Sequence, residues 1–174
     1  MILVLMPISP DRIIPEPVMS SILMQGIPVT IIMHNSIGDD AVAARQYLHD
    51  YPYKSDKFIL TMDNDLVLPQ DSLQKLVDFL NKNEDFGAIA ISKLFTPTEP
   101  VDEAGHIDAA PVLFRLEVYE KIDYHNRNGC ECMGMTKDIR NLGYKIGFLG
   151  GLKAKHILET SSEKYLEEKY HEKG

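Results

Sequence analysis

Positive charge is the first thing in short supply. The 174-residue chain carries 18 Lys and Arg against 26 Asp and Glu, a formal net charge of -8. A surface this acidic repels phosphate backbones, which argues against nucleic acid as a main partner. A local basic pocket for one small phosphate ligand stays compatible with that charge. Cysteine is scarcer still. Cys130 and Cys132 stand one residue apart, too close to staple a fold. They exclude a disulfide scaffold and read as structural thiols in a reducing, cytoplasmic compartment. No apolar run approaches the roughly 20 residues of a membrane span. The start, Met1 to Pro7, lacks the basic region and cleavage site of a signal peptide and reads as a buried strand. Walker A spacing and G-x-G-x-x-G are both missing, despite the glycines from Gly147 to Gly151. P-loop and dinucleotide-binding readings therefore fall.

What is present fits one soluble domain. Short apolar runs alternate with helical periodicity and predict an α/β layered architecture. Ile2 to Ile8, Val29 to Met33, Phe58 to Met62, Gly87 to Ser92, Pro111 to Phe114 and Lys145 to Leu149 read as strands. Continuous apolar runs such as the first belong to strands covered on both faces. Helices are expected from Pro15 to Gly26, Ala41 to Leu48, Asp71 to Leu80, Leu116 to Ile122 and Met133 to Leu142. In the third of these, Leu73, Leu76, Val77 and Leu80 form one apolar stripe. Gly143 suits a helix stop. His34 to Asp39 reads as loop, and the Pro- and Thr-rich stretch Thr96 to Gly105 as a mobile loop. The domain spans residues 1–158, and 159–174 form a charged C-terminal tail.

Asp63-Asn64-Asp65 is the main chemical feature. Two carboxylates two residues apart, just past a strand, can bind a divalent cation together with a ribose or phosphate. Hard cations such as Mg2+ or Mn2+ take oxygen ligands, and a diphosphate completes the shell. The same triplet can equally be a turn whose Asp and Asn satisfy backbone groups. Its position favours the first reading, because open parallel sheets bind ligands outside the carboxyl ends of their strands. His156 follows a strand and a glycine turn. It is either a half-buried surface histidine or a third metal ligand, and imidazole would favour Mn2+. Lys153 and Lys155 beside it are solvated charges or diphosphate counter-ions. Glu131, at a helix start, is a dipole-friendly carboxylate or a general base.

The order of these motifs resembles the GT-A nucleotide-sugar glycosyltransferases, in particular the inverting family 2. Phe58 to Pro69, followed by Leu73, Leu76 and Val77, is similar to that family's strand, D-x-D motif, turn and helix. Leu113 to Ile122 is similar to its segment before the catalytic loop. Glu131-Cys132, Gly143-Tyr144 and His156 are similar to its Glu-Asp pair, Gly-Tyr turn and terminal metal-binding His. The resemblance implies a single-domain, GT-A-like (Rossmann-like) sandwich with a mostly parallel central sheet flanked by helices. It implies a metal-dependent, inverting hexosyltransferase that takes a nucleoside-diphosphate sugar donor and a glycan, protein or lipid acceptor, with Mn2+ or Mg2+ as cofactor. Asp65, Asp63 and His156 would be the metal ligands. Asp63, Arg45 and Lys153 would contact the donor, and Asp39 or Asp40 would replace an early base-contacting Asp. The family's usual base falls on Cys132, so Glu131, or else Asp108, takes that role. Two alternatives stand: a catalytically impaired binding module of the same fold, and a nucleotidyltransferase, although the glycine-free Pro7 to Arg12 loop disfavours the latter.

Overall fold

The computed structural model describes residues 1–8, 13–35, 41–50, 57–97, 101–108, 110–123 and 131–157. Two expectations lie outside the described residues, Asp39 and the tail from 159 onward. The same holds for Asp123 to Gly129, which the sequence reads as polar loop, from 124 onward.

The first two strands, β1 (Ile2–Ile8) and β2 (Val29–Asn35), pair in parallel through helix α1 (Glu16–Leu23). Pro15 opens α1 and Gly26, at φ 69°, turns the chain after it. A left-handed φ is where glycine has no steric penalty. The strand β2 runs on through His34 and Asn35, where the sequence suggested loop. From there the chain passes through helix α2 (Ala41–Asp50) to β3 (Phe58–Thr61), which pairs with the other edge of β1. Consecutive crossovers thus leave β1 on opposite sides. This reversal creates a topological switch point, the crevice at the carboxyl ends of β1 and β3.

The remaining elements are a short strand β4 (Leu66–Val67), helix α3 (Ser72–Lys82), β5 (Phe86–Ser92), β6 (Val101–Glu103), β7 (Val112–Arg115), α4 (Leu116–Tyr119), α5 (Glu131–Asn141), β8 (Lys145–Lys153) and β9 (Lys155–His156). Seven strands form one sheet in the order β2-β1-β3-β7-β5-β8-β6. The strands β1, β2, β3, β5 and β8 run one way, and β7 and β6 run against them. The sheet is therefore mostly parallel, as expected.

Alternation along the strands splits the core into two layers. Ile2, Val4 and Met6 point with Leu60, Ile89 and Leu113 toward Val18 and Ile22 of α1 and Leu73, Leu76 and Leu80 of α3. Leu3 and Leu5 point with Ile59, Ala90 and Phe114 toward Leu48 of α2, Tyr119 of α4, and Met135 and Ile139 of α5. Period-two side-chain direction puts apolar residues on both faces, so helices cover both.

Two side chains bind the helices to each other and to the sheet. Asp71, the residue before α3, has φ 56° and makes no capping bond of its own. Buried Gln25 does that work instead. Its Oε1 accepts from Leu73 N at 3.0 Å and from Ser72 Oγ at 3.3 Å, and its Nε2 donates to the Ser21 and Pro69 carbonyls at 2.7 and 2.9 Å. At the other end, Arg115 donates to the Leu80, Asn83 and Phe86 carbonyls. Helix-end groups left without intrahelical partners are satisfied in this way.

Three further expectations are corrected. The stretch Thr96 to Gly105 is not irregular throughout, because β6 within it pairs antiparallel to β8. The glycines from Gly147 to Gly151 are not a turn but the body of β8, which extends to Lys153. The α4 helix ends at Tyr119 rather than Ile122.

Candidate functional site

The crevice is built where β3 ends. Met62 N donates to Leu5 O at 3.0 Å, which holds the chain against β1 for one residue past the strand. Asp63, Asn64 and Asp65 then turn, and all three are half-buried. Beyond them β4 pairs antiparallel with β9, with Leu66 opposite His156 and Val67 opposite Lys155. Ile157 N adds a bond of 2.9 Å to Asp65 O. This small ribbon, which no periodicity in the sequence announces, brings His156 beside Asp65.

Asp63 is held by two cations. Arg45, buried on α2, pairs with Asp63 Oδ1. Lys93 Nζ lies 3.9 Å from Asp63 Oδ2. Lys93 carries no motif signal, and sequence reasoning missed it. Its position comes from tertiary structure, in the turn where β5 leaves the sheet.

Asp65 has its carboxyl pushed above the ordinary value near 3.8. Burial is the main cause and the Asp63 charge the second, opposed by His156, by its own backbone N–H and by Lys93. Removing a carboxylate from water disfavours its charged form, and a like charge nearby adds to that. A half-buried carboxylate pair kept at this cost, in a crevice, is a mark of functional sites.

The sequence-predicted residues divide into three groups. Asp63, Asp65, Arg45 and His156 come together. Lys153 ends β8 opposite Ser92 of β5, exposed, and makes no ion pair among the described residues. Glu131 begins α5, but its side chain and Asp39 lie outside the described residues. Its neighbour Cys132 corrects the structural-thiol expectation. It is buried and disulfide-bonded, and His106 Nε2 lies 2.8 Å from its sulfur. A disulfide sulfur has no proton to exchange, so this position cannot supply a base.

Among the described residues, no three His, Cys, Asp or Glu side chains group so as to hold a metal ion, which corrects the expected ligand trio of Asp65, Asp63 and His156. Arg45 and Lys93 already engage the oxygens of Asp63. Asp65 and His156 remain, one oxygen and one nitrogen donor. That pair suits a divalent cation that shares its shell with phosphate and water, since Mg2+-type sites commonly use one or two protein ligands plus substrate phosphates. No described helix is long and apolar enough to cross a membrane.

No protein-family pattern matches the chain, and no curated protein matches it. Solved structures do. The crystal structure of A197 from STIV aligns with TM-score 0.61 and 15% identity, over 91% of this chain and 86% of that one. S. aureus TarS 1-349 aligns with TM-score 0.66 and 10% identity over 95% of this chain. A second TarS structure gives TM-score 0.64 and 12% identity over 95% of this chain. The chain spans 62% of the first TarS structure and 38% of the second. TarS is a GT-A-type glycosyltransferase. The fold here is therefore glycosyltransferase-like, as the motif order implied.

Proposed function

We propose that this chain is a metal-dependent, inverting glycosyltransferase of the family 2 kind, moving a sugar from a nucleoside diphosphate to an acceptor hydroxyl. The observation that carries this reading is the meeting of the Arg45–Asp63 pair with Asp65 and His156 at the carboxyl end of β3. Elements from both halves of the chain converge there, at the switch point where this architecture binds ligands.

Asp63, fixed by Arg45, faces the ribose end of the donor. Asp65 and His156 would hold Mn2+ or Mg2+ against the diphosphate. Such a cation neutralises charge on a departing diphosphate. Lys153, at the end of β8, supplies further positive charge near it. Glu131 takes the proton of the acceptor hydroxyl as the oxygen bonds to the anomeric carbon. The carbon–phosphate oxygen bond breaks, its electron pair leaves with the diphosphate, and the attack from the far face inverts the centre. The acceptor is a glycan, protein or lipid hydroxyl.

One observation favours a second reading. With Cys132 disulfide-bonded, the position that carries the usual base of the family cannot act as one. A binding module that keeps the donor site without turnover is consistent with this. Incubation with a panel of nucleoside-diphosphate sugars and Mn2+ separates the two. Release of nucleoside diphosphate supports the enzyme, and binding without release supports the module. Absence of both rejects the donor site itself.

A further inference from the structure

Lys93 belongs to none of the motif-bearing segments, yet its surroundings are built rather than incidental. Ser92, fully buried, ends β5. Its Oγ accepts from Leu94 N at 3.2 Å and Phe95 N at 3.1 Å. Its carbonyl accepts from Ala154 N at 2.9 Å, and the Pro97 carbonyl accepts from Gly151 N at 3.1 Å. The Phe95 ring meets Phe148 edge-on, with centroids 5.3 Å apart. The turn that carries Lys93 is thus tied at both ends to β8 and the segment after it, and the ordering cost of placing the side chain is met in advance.

The ammonium group is under-used where it stands. The Lys93 side chain is only 22% exposed, and its nearest carboxylate oxygen, on Asp63, is 3.9 Å away. That is an ion-pair distance, outside hydrogen-bond reach. Lys93 makes no hydrogen bond among the described residues, so its three N–H donors, 3.9 Å from the Asp63 carboxylate, are left for another acceptor. Asp63 already has Arg45 as a closer partner. A second cation at this range adds little to stability. On a chain of net charge -8, a mostly buried lysine beside such a crevice has its best use with an anion.

We infer that Lys93 binds the diphosphate of the donor, swinging from Asp63 to a phosphate oxygen when the nucleotide enters. Lysine serves phosphate as a compact point charge with freely rotating donors. This assignment rests on the nucleotide-sugar reading above and adds a residue to it.

Calorimetric titration with UDP, GDP, ADP and CDP, each with Mn2+, identifies the diphosphate that the wild-type protein prefers. Lys93→Ala is then expected to weaken that diphosphate by about 10- to 100-fold, the usual scale of a charged hydrogen bond. The matching nucleoside, titrated by NMR, is expected to change less than about twofold. Lys93→Arg should recover most of the affinity. Lys93→Met, which keeps the buried stem, serves if the alanine variant folds poorly. Equal losses for nucleoside and diphosphate would overturn the assignment, because Lys93 would then act only through Asp63. Unchanged diphosphate binding would overturn it too, while the nucleotide-sugar reading survived. If none of the four diphosphates binds the wild-type protein, that reading and this assignment both fail.

Discussion

The backbone N–H of Ile157 donates to the carbonyl of Asp65 at 2.9 Å. The bond joins the end of the chain's last described strand to the acidic turn after β3. Beside it, Leu66 and His156 face each other across a two-strand ribbon. The pairing therefore brings His156 into the neighbourhood of Asp65, close enough for its charge to act on that carboxyl, before any ligand arrives. Pre-set geometry of this kind lowers the ordering cost of binding.

Replacing Asp65 by Asn should stabilise the ligand-free protein and abolish Mn2+-dependent nucleotide binding. Its folded pKa is raised, so the contribution of this group to stability is fully present below the unfolded value and is lost as pH rises through the folded one. Once ionised, the half-buried carboxylate is a burden that Asn lacks. Thermal denaturation of both proteins from pH 3 to pH 7 checks this. The melting advantage of Asp65→Asn should be largest at pH 7 and shrink toward pH 3. A variant less stable than wild type at pH 7 would contradict it.

Gln25→Ala should cost about 1–3 kcal/mol, since it leaves the Leu73 N–H and the Pro69 and Ser21 carbonyls without their buried partner. Urea denaturation monitored by circular dichroism reads this directly. A change below about 0.5 kcal/mol would show that the α1–α3 junction does not depend on this side chain.

Gly87 sits where a methyl group cannot. A Cβ there would lie 2.8 Å from Tyr144 Cβ and 3.1 Å from Ile139 Cγ2. Gly87→Ala should therefore destabilise by about 1–3 kcal/mol, the range for overpacked cores. Chemical denaturation of the alanine variant with an unchanged midpoint would refute the close approach of α5 and the Tyr144 segment to β5.

Glu131→Gln should lower turnover by about 10²–10⁴-fold while donor binding persists, if the carboxylate takes the acceptor proton. Steady-state release of nucleoside diphosphate, with donor affinity measured separately, distinguishes loss of the base from loss of the site. Full activity in the glutamine variant would move the role elsewhere, Asp108 being the next carboxylate to test.

Much of the architecture was legible because it follows from local pattern. The β1 strand reads from its unbroken apolar run, and α3 from the spacing of Leu73, Leu76 and Leu80. The turn after α5 reads from Gly143, whose φ of 87° needs glycine. The errors arose where pairing overrides composition. The β6 strand lies in a stretch rich in Pro, Thr and Glu and exists by pairing with β8. The glycines of β8 look like a turn, but Gly147 is held in the sheet by pairing with Ile89 and Glu103, while Gly151, at φ 69°, falls in the irregularity between Phe148 and Lys153. In the site, Asp63, Asp65, Arg45 and His156 were visible through motif order. Lys93 was not, because a single lysine after a strand carries no signal until the turn at Ser92 aims it.

The central claim is tested most directly by calorimetric titration of UDP, GDP, ADP and CDP into wild-type protein and His156→Ala, each with and without Mn2+. The account predicts that one diphosphate binds the wild-type protein, that Mn2+ tightens it by at least about tenfold, a differential of roughly 1.4 kcal/mol, and that this metal effect disappears in His156→Ala while the fold stays intact. Equal enhancement by Mn2+ in both proteins would contradict it, because the imidazole that β9 sets beside Asp65 would then have no part in holding the cation.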